Sequence, residues 1–107
     1  MAKKIPTTKK FVLKITGVKM IPIEYDVIVF KEDHTYVAYC PELDISSCGQ
    51  DVQQSKEMLK TAVRLFVEEA EKMGTLEDIL DESRYKKDPA GRWIPPKLVA
   101  TELVSAY

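Results

Sequence analysis

From Val52 to Met73 the chain repeats apolar or small residues at intervals of three and four: Val52, Ser55, Leu59, Ala62, Val63, Phe66, Ala70 and Met73. That period places them on one face of a helix about 20 residues long. Met58, Leu65 and Val67 widen the stripe. Asp51 is a favoured N-cap, and Gln54 three residues later completes a capping-box pattern. Gly74 is the natural left-handed stop. Glu57–Lys60, Arg64–Glu68 and Glu68–Lys72 stand at pairing distance on the outer face. A helix of this length with one apolar face must cover something, and the segments before it supply the sheet.

Ile23 to Lys31 reads as a strand that runs from a polar rim into a covered centre. Tyr25, Val27 and Val29 face one way and Glu24, Asp26, Ile28 and Phe30 the other. Glu32-Asp33-His34 is a turn, and Thr35 to Cys40 is β-rich again, so the two strands form a hairpin. Pro41 has no amide to donate and ends the pairing. Ile45 to Gln50 returns as a third short strand, with Gly49 at its final bend. Upstream, Lys10 to Thr16 reads as a further short strand stopped by Gly17, behind a flexible basic arm over residues 1–9. Downstream, Thr75 caps a second, shorter helix with Leu76, Ile79 and Leu80 inward. Arg84 to Arg92 is polar and reads as a loop. Pro95-Pro96 imposes extended backbone, and Lys97 to Val104 closes the chain as a strand with Leu98, Ala100 and Leu103 inward.

The expected fold class is therefore α+β: a three- to four-stranded, mainly antiparallel sheet packed on one long helix. Residues 10–107 form one domain, with a core unit over 23–73 and a helix and strand over 75–107. The length of 107 residues, 45% apolar and 31% charged, fits a single globular core. No apolar run is long enough for a secretory signal or a membrane span, so a cytoplasmic location is expected. Cys40 and Cys48 read as buried free thiols. With His34, the lone histidine, they contain no paired zinc motif.

The net charge of −1 hides an asymmetry. Residues 1–20 hold six lysines and no acid, whereas the remainder holds ten basic and seventeen acidic residues. The body is acidic, which favours a basic partner over a nucleic-acid surface. Acids fall on the loops at Glu32, Asp33, Glu42 and Asp44, and around the helix junction at Glu68, Glu69, Glu71, Glu77, Asp78, Asp81 and Glu82. Tyr36 and Tyr39 add apolar anchors. The candidate partner-binding residues are thus Glu32, Asp33, Tyr36, Tyr39, Glu42 and Asp44.

The phrase Tyr36-Val37-Ala38-Tyr39-Cys40-Pro41-Glu42-Leu43, followed by Gly49 and a long amphipathic helix, resembles the HicB antitoxin family. The resemblance covers about residues 23–73, and Gly74 to Leu80 with Trp93-Ile94-Pro95-Pro96 resembles the tail of shorter members. Asp51, Gln54 and Ser55 depart from the threonine, glutamate and alanine common at the helix start. The resemblance implies a partial, degenerate ribonuclease-H-like fold, a homodimer or higher assembly, and neutralisation of a small basic RNA-cleaving toxin of the HicA type. Residues 75–107 hold too little for the appended helix-turn-helix or ribbon-helix-helix of many members, which weakens the case for operator DNA.

Ribonuclease-H chemistry needs three or four carboxylates converging on two metal ions. Asp26 lies on a strand, but Glu57 is turned away from the packed helix face, and Ile45 to Gln50 holds no acid. His34 in a turn and Cys40 beside Pro41 make no nucleophile–base pair. The sequence is therefore read as a non-enzyme without catalytic residues, metal or cofactor. A second reading is a stand-alone, self-associating domain with no toxin, in which the segment after Pro95-Pro96 is exchanged between subunits.

Overall fold

The computed structural model describes residues 22–106. The basic arm over 1–9 and the expected strand at Lys10–Thr16 lie outside the described residues.

Three strands, β1 (Ile28–Glu32), β2 (Thr35–Cys40) and β3 (Ile45–Gly49), form an antiparallel sheet in the order β1-β2-β3. Val29 stands opposite Ala38, and Ala38 opposite Ser47. This register sets Val29, Ala38, Cys40, Ile45 and Ser47 on one face, because side chains alternate along a strand. The long helix α1 (Val52–Met73) lies across that face and packs chiefly on β3 and β2. The chain is thus α+β, with a three-stranded antiparallel sheet against one helix.

The helix ends follow their sequence signals. The Asp51 carboxylate accepts the Gln54 amide at 2.7 Å. The Gln54 side chain accepts the amide of Gln50, one residue before the cap, at 2.6 Å. Gly74 stops the helix with φ 74°, and its neighbour Thr75 donates its amide to the Ala70 carbonyl at 3.0 Å. The buried face is narrower than the full stripe: Ser55, Leu59, Val63, Val67 and Ala70 are buried, whereas Val52 and Met73 at the two ends and Met58 and Leu65 on the flank are exposed. The three strands are too short to cover both outer turns. Arg64 and Glu68 pair at 3.4 Å, while Glu57 accepts from Gln53 instead of pairing with Lys60.

Helix α2 (Leu76–Glu82) follows at once and buries Leu76 and Leu80. Thr75 precedes it without a side-chain cap, since its hydroxyl is turned back to the Ala70 carbonyl at 3.4 Å.

Four expectations are corrected. The first strand begins at Ile28, not Ile23, because residues 22–26 are drawn elsewhere. Pro22 accepts the Trp93 amide at 2.8 Å, and the Glu24 amide donates to the Trp93 carbonyl at 3.1 Å. Its exposure also runs the other way, with Ile28 half-buried and Phe30 51% exposed near the turn. Second, Arg84–Arg92 is not a plain loop but holds most of a small hairpin. There β4 (Lys86–Lys87) pairs antiparallel with β5 (Trp93–Ile94). Asp88 builds its turn, accepting the amides of Ala90 and Arg92 at 3.0 and 2.8 Å. Third, Lys97–Val104 is no strand: residues 97–106 have no regular structure and are exposed throughout. Fourth, Cys48 is exposed, because its position opposite Val37 turns it away from α1; only Cys40 is buried.

The core joins both layers. Ala38, Cys40, Leu59, Val63, Val67, Ala70, Leu76 and Leu80 cluster with Tyr85 and Trp93 from the hairpin segment.

Candidate functional site

The six candidate residues do not converge. Glu32 and Asp33 sit at the β1–β2 turn, and Tyr39, Glu42 and Asp44 at or near the β2–β3 turn. The six residues of β2 separate the two ends by roughly 20 Å. Tyr36 lies between them on the inner face, with the Lys31 ammonium 5.6 Å from its ring centre.

The tight β1–β2 turn places Asp33 at φ 57°, a conformation that aspartate tolerates better than most residues. Glu32, Asp33 and His34 are all exposed. The β2–β3 turn begins with Pro41 immediately after the Cys40–Ile45 pair. Asp44, at φ 56°, accepts the Tyr39 hydroxyl at 2.9 Å. That hydrogen bond raises the Tyr39 pKa.

Glu42 turns the other way. Its two carboxylate oxygens accept the Asp26 amide at 3.1 and 3.2 Å, and the Cys40 thiol lies 3.5 Å from one of them. Burial, and then a hydrogen bond with the Asp26 side chain, push the Glu42 carboxyl above its ordinary pKa. Burial pushes the Cys40 thiol up to about 11 and raises Tyr85 as well, with Glu42 adding to both. Glu42, Cys40 and Tyr85 thus all resist gaining negative charge. Asp26 and Glu42 line a cleft of about 360 Å³ together with Pro41, Glu82, Ser83, Arg84, Pro96, Lys97 and Leu98. Among the described residues no group of three or more His, Cys, Asp or Glu side chains could hold a metal ion.

The acids after the long helix are arranged differently. In α2, Glu77, Asp78, Asp81 and Glu82 are all exposed, and none enters an ion pair among the described residues. Leu76, Ile79 and Leu80 take the inward positions and leave the carboxylates to solvent.

Tyr85 is the residue that sequence reasoning missed. It is buried, and its hydroxyl donates to the Glu24 carbonyl at 2.8 Å across 61 positions. Its neighbours Arg84, Lys86 and Lys87 gave the stretch a polar signature that hid an anchor. Arg92 completes this corner, reaching Glu24 at 3.1 Å and Asp88 at 3.2 Å.

No family model, curated protein or solved structure matches the chain. Among the described residues no helix is long and apolar enough to cross a membrane.

Proposed function

We propose that this chain is an antitoxin-like binding protein that holds and neutralises a small basic RNA-cleaving toxin of the HicA type, without catalysis of its own. The observation that carries the reading is the set of four exposed carboxylates on α2, none of them in an ion pair among the described residues. The exposed acids Glu32, Asp33 and Asp44 on the two sheet turns extend it. A basic protein meets such a surface by charge complementarity, which chiefly raises association rate and selectivity. The resemblance of Tyr36–Leu43 and the following helix to HicB antitoxins supplies the identity of the partner. In this reading the protein works in the cytoplasm, where such a toxin acts on RNA, and its sheet and helix are a degenerate ribonuclease-H-like unit kept for binding.

The test is co-expression with a HicA-type toxin. The full chain restores growth and co-purifies with the toxin. The double variant Glu77→Lys/Asp81→Lys slows association on the order of tenfold at low ionic strength, with less effect at high salt. A chain that neither binds such a toxin nor restores growth overturns the reading.

A further inference from the structure

Among the described residues the sheet is covered on one face only. Register and alternation place Ile28, Phe30, Val37, Tyr39, Ser46 and Cys48 on the face away from α1. None of these six belongs to the core cluster, and Phe30 is 51% exposed. Strand β1 is also an edge strand among the described residues. An edge strand beside an uncovered apolar face is a template for pairing with another strand.

The same molecule carries a segment without a hydrogen-bonded partner among the described residues. Residues 97–106 include Leu98, Val99, Leu103 and Val104, all exposed, Val99 at 86% and Val104 at 73%. None of the ten hydrogen-bonds to another described residue. Extended, they span about 33 Å, more than the length of β1. Val99, Thr101 and Leu103 fall on one side of such a strand, which suits a half-covered sheet position.

The segment starts on the wrong side to reach its own uncovered face. Trp93 is packed in the core with Ala38 and Cys40, on the side that α1 covers. Pro95-Pro96 then fixes extended backbone and opposes a reversal around the sheet edge. A second copy removes the obstacle, because a two-fold exchange delivers each segment to the other copy's sheet and makes the contact twice.

We propose that residues 97–106 of one copy add as a strand along β1 of a second copy, with alternate side chains beside Ile28 and Phe30, in a reciprocal exchange. The backbone ladder supplies affinity, and the apolar face supplies register. This surface is distinct from the acidic helix α2, which carries the main part of the proposed partner surface.

Sedimentation of the full chain across the micromolar range tests the proposal, alongside a chain lacking residues 97–107 and the variant Phe30→Glu. The full chain sediments as a dimer, and both altered chains sediment as monomers with unchanged helical circular dichroism. A synthetic peptide of residues 95–107 binds the shortened chain and slows amide exchange at Ile28–Glu32. Adding Phe30→Glu to the shortened chain weakens that binding by tenfold or more, about 1.4 kcal/mol. A monomeric full chain overturns the exchange, whether its own segment is docked or free. So does a dimer that survives the deletion, or an edge already taken by residues 10–16 of the same chain, which would leave the peptide unbound.

Discussion

At Gly49 the last residue of β3 passes so close to α1 that a Cβ would stand 2.6 Å from the Ser55 nitrogen and 2.9 Å from the Gln54 carbonyl carbon. Both are backbone atoms, so no side chain can swing aside. Gly49→Ala is expected to cost about 1–3 kcal/mol, the range for overpacking, measured by urea unfolding. Gly74 is the useful contrast: nothing lies within 4 Å of its Cβ position, and Gly74→Ala meets only the left-handed backbone, at about 1 kcal/mol. Equal losses at the two positions would refute the close approach. Glu42 carries a pH signature. Its folded pKa lies above the unfolded value, so the folded chain keeps that proton to higher pH. Its contribution to stability therefore falls as pH rises from the ordinary carboxyl range through the raised value. Asp88 has the opposite sign: hydrogen bonding from the Arg92 amide lowers its pKa, and its contribution is lost on acidification. Glu42→Gln keeps an acceptor for the Asp26 amide. The difference in stability between the two proteins is expected to move in favour of the glutamine from about pH 4 upward. A pH-independent difference would refute the burial of that carboxyl.

Among elements, the β4–β5 hairpin is held from outside itself. Its two-residue strands contribute little alone, and it stands because Trp93 and Tyr85 are buried and because the Tyr85 hydroxyl reaches Glu24. Tyr85→Phe leaves the Glu24 carbonyl short of that donor and is expected to cost about 1–2 kcal/mol. The loss should appear as faster amide exchange at Glu24 and Trp93, whose amides donate to the Trp93 and Pro22 carbonyls respectively. Unchanged exchange there would detach the tyrosine from the corner. Helix α1 is the opposite case. Its start, its stop and the direction of its buried face were legible, because an N-cap, a left-handed glycine and a 3.6-residue period are local properties of neighbouring residues. The width of that face was not, since Met58 and Leu65 are exposed. Val52 and Met73 were misread because the period does not say how long the opposing surface is. The hairpin was illegible because its two buried aromatics are separated by a polar stretch whose only local signal was a turn.

For the whole molecule, the two thiols separate local from global access. Cys48 on the uncovered face is expected to be alkylated in the folded protein. Cys40, fully buried and with its thiol pushed up to about 11, is expected to react only as fast as the core opens. Mass spectrometry after brief iodoacetamide treatment checks this, and prompt double labelling would refute the packing around Cys40. The sequence could not distinguish these cysteines, since each lies in a short β-rich run. Strand register made the difference, setting Cys40 in the row of Ala38 and Cys48 opposite Val37. The candidate acids were legible one by one, but their division between two sheet ends was a consequence of β2's length.

Local chemistry in the sequence determined the elements themselves: the three β-rich runs, the breaks at Asp33 and Pro41, and the capped helix from Val52 to Met73. Tertiary structure alone decided which residues they bury and where a pattern is overruled. Ile23 and Glu24 left their strand for Trp93, Glu42 turned inward to Asp26, and residues 97–106 kept a strand's composition without a strand partner among the described residues. The physical reason is range. Caps and periodicity act within a few residues, whereas the buried tyrosine is satisfied by a group 61 positions away and other bonds of that corner span still more of the chain.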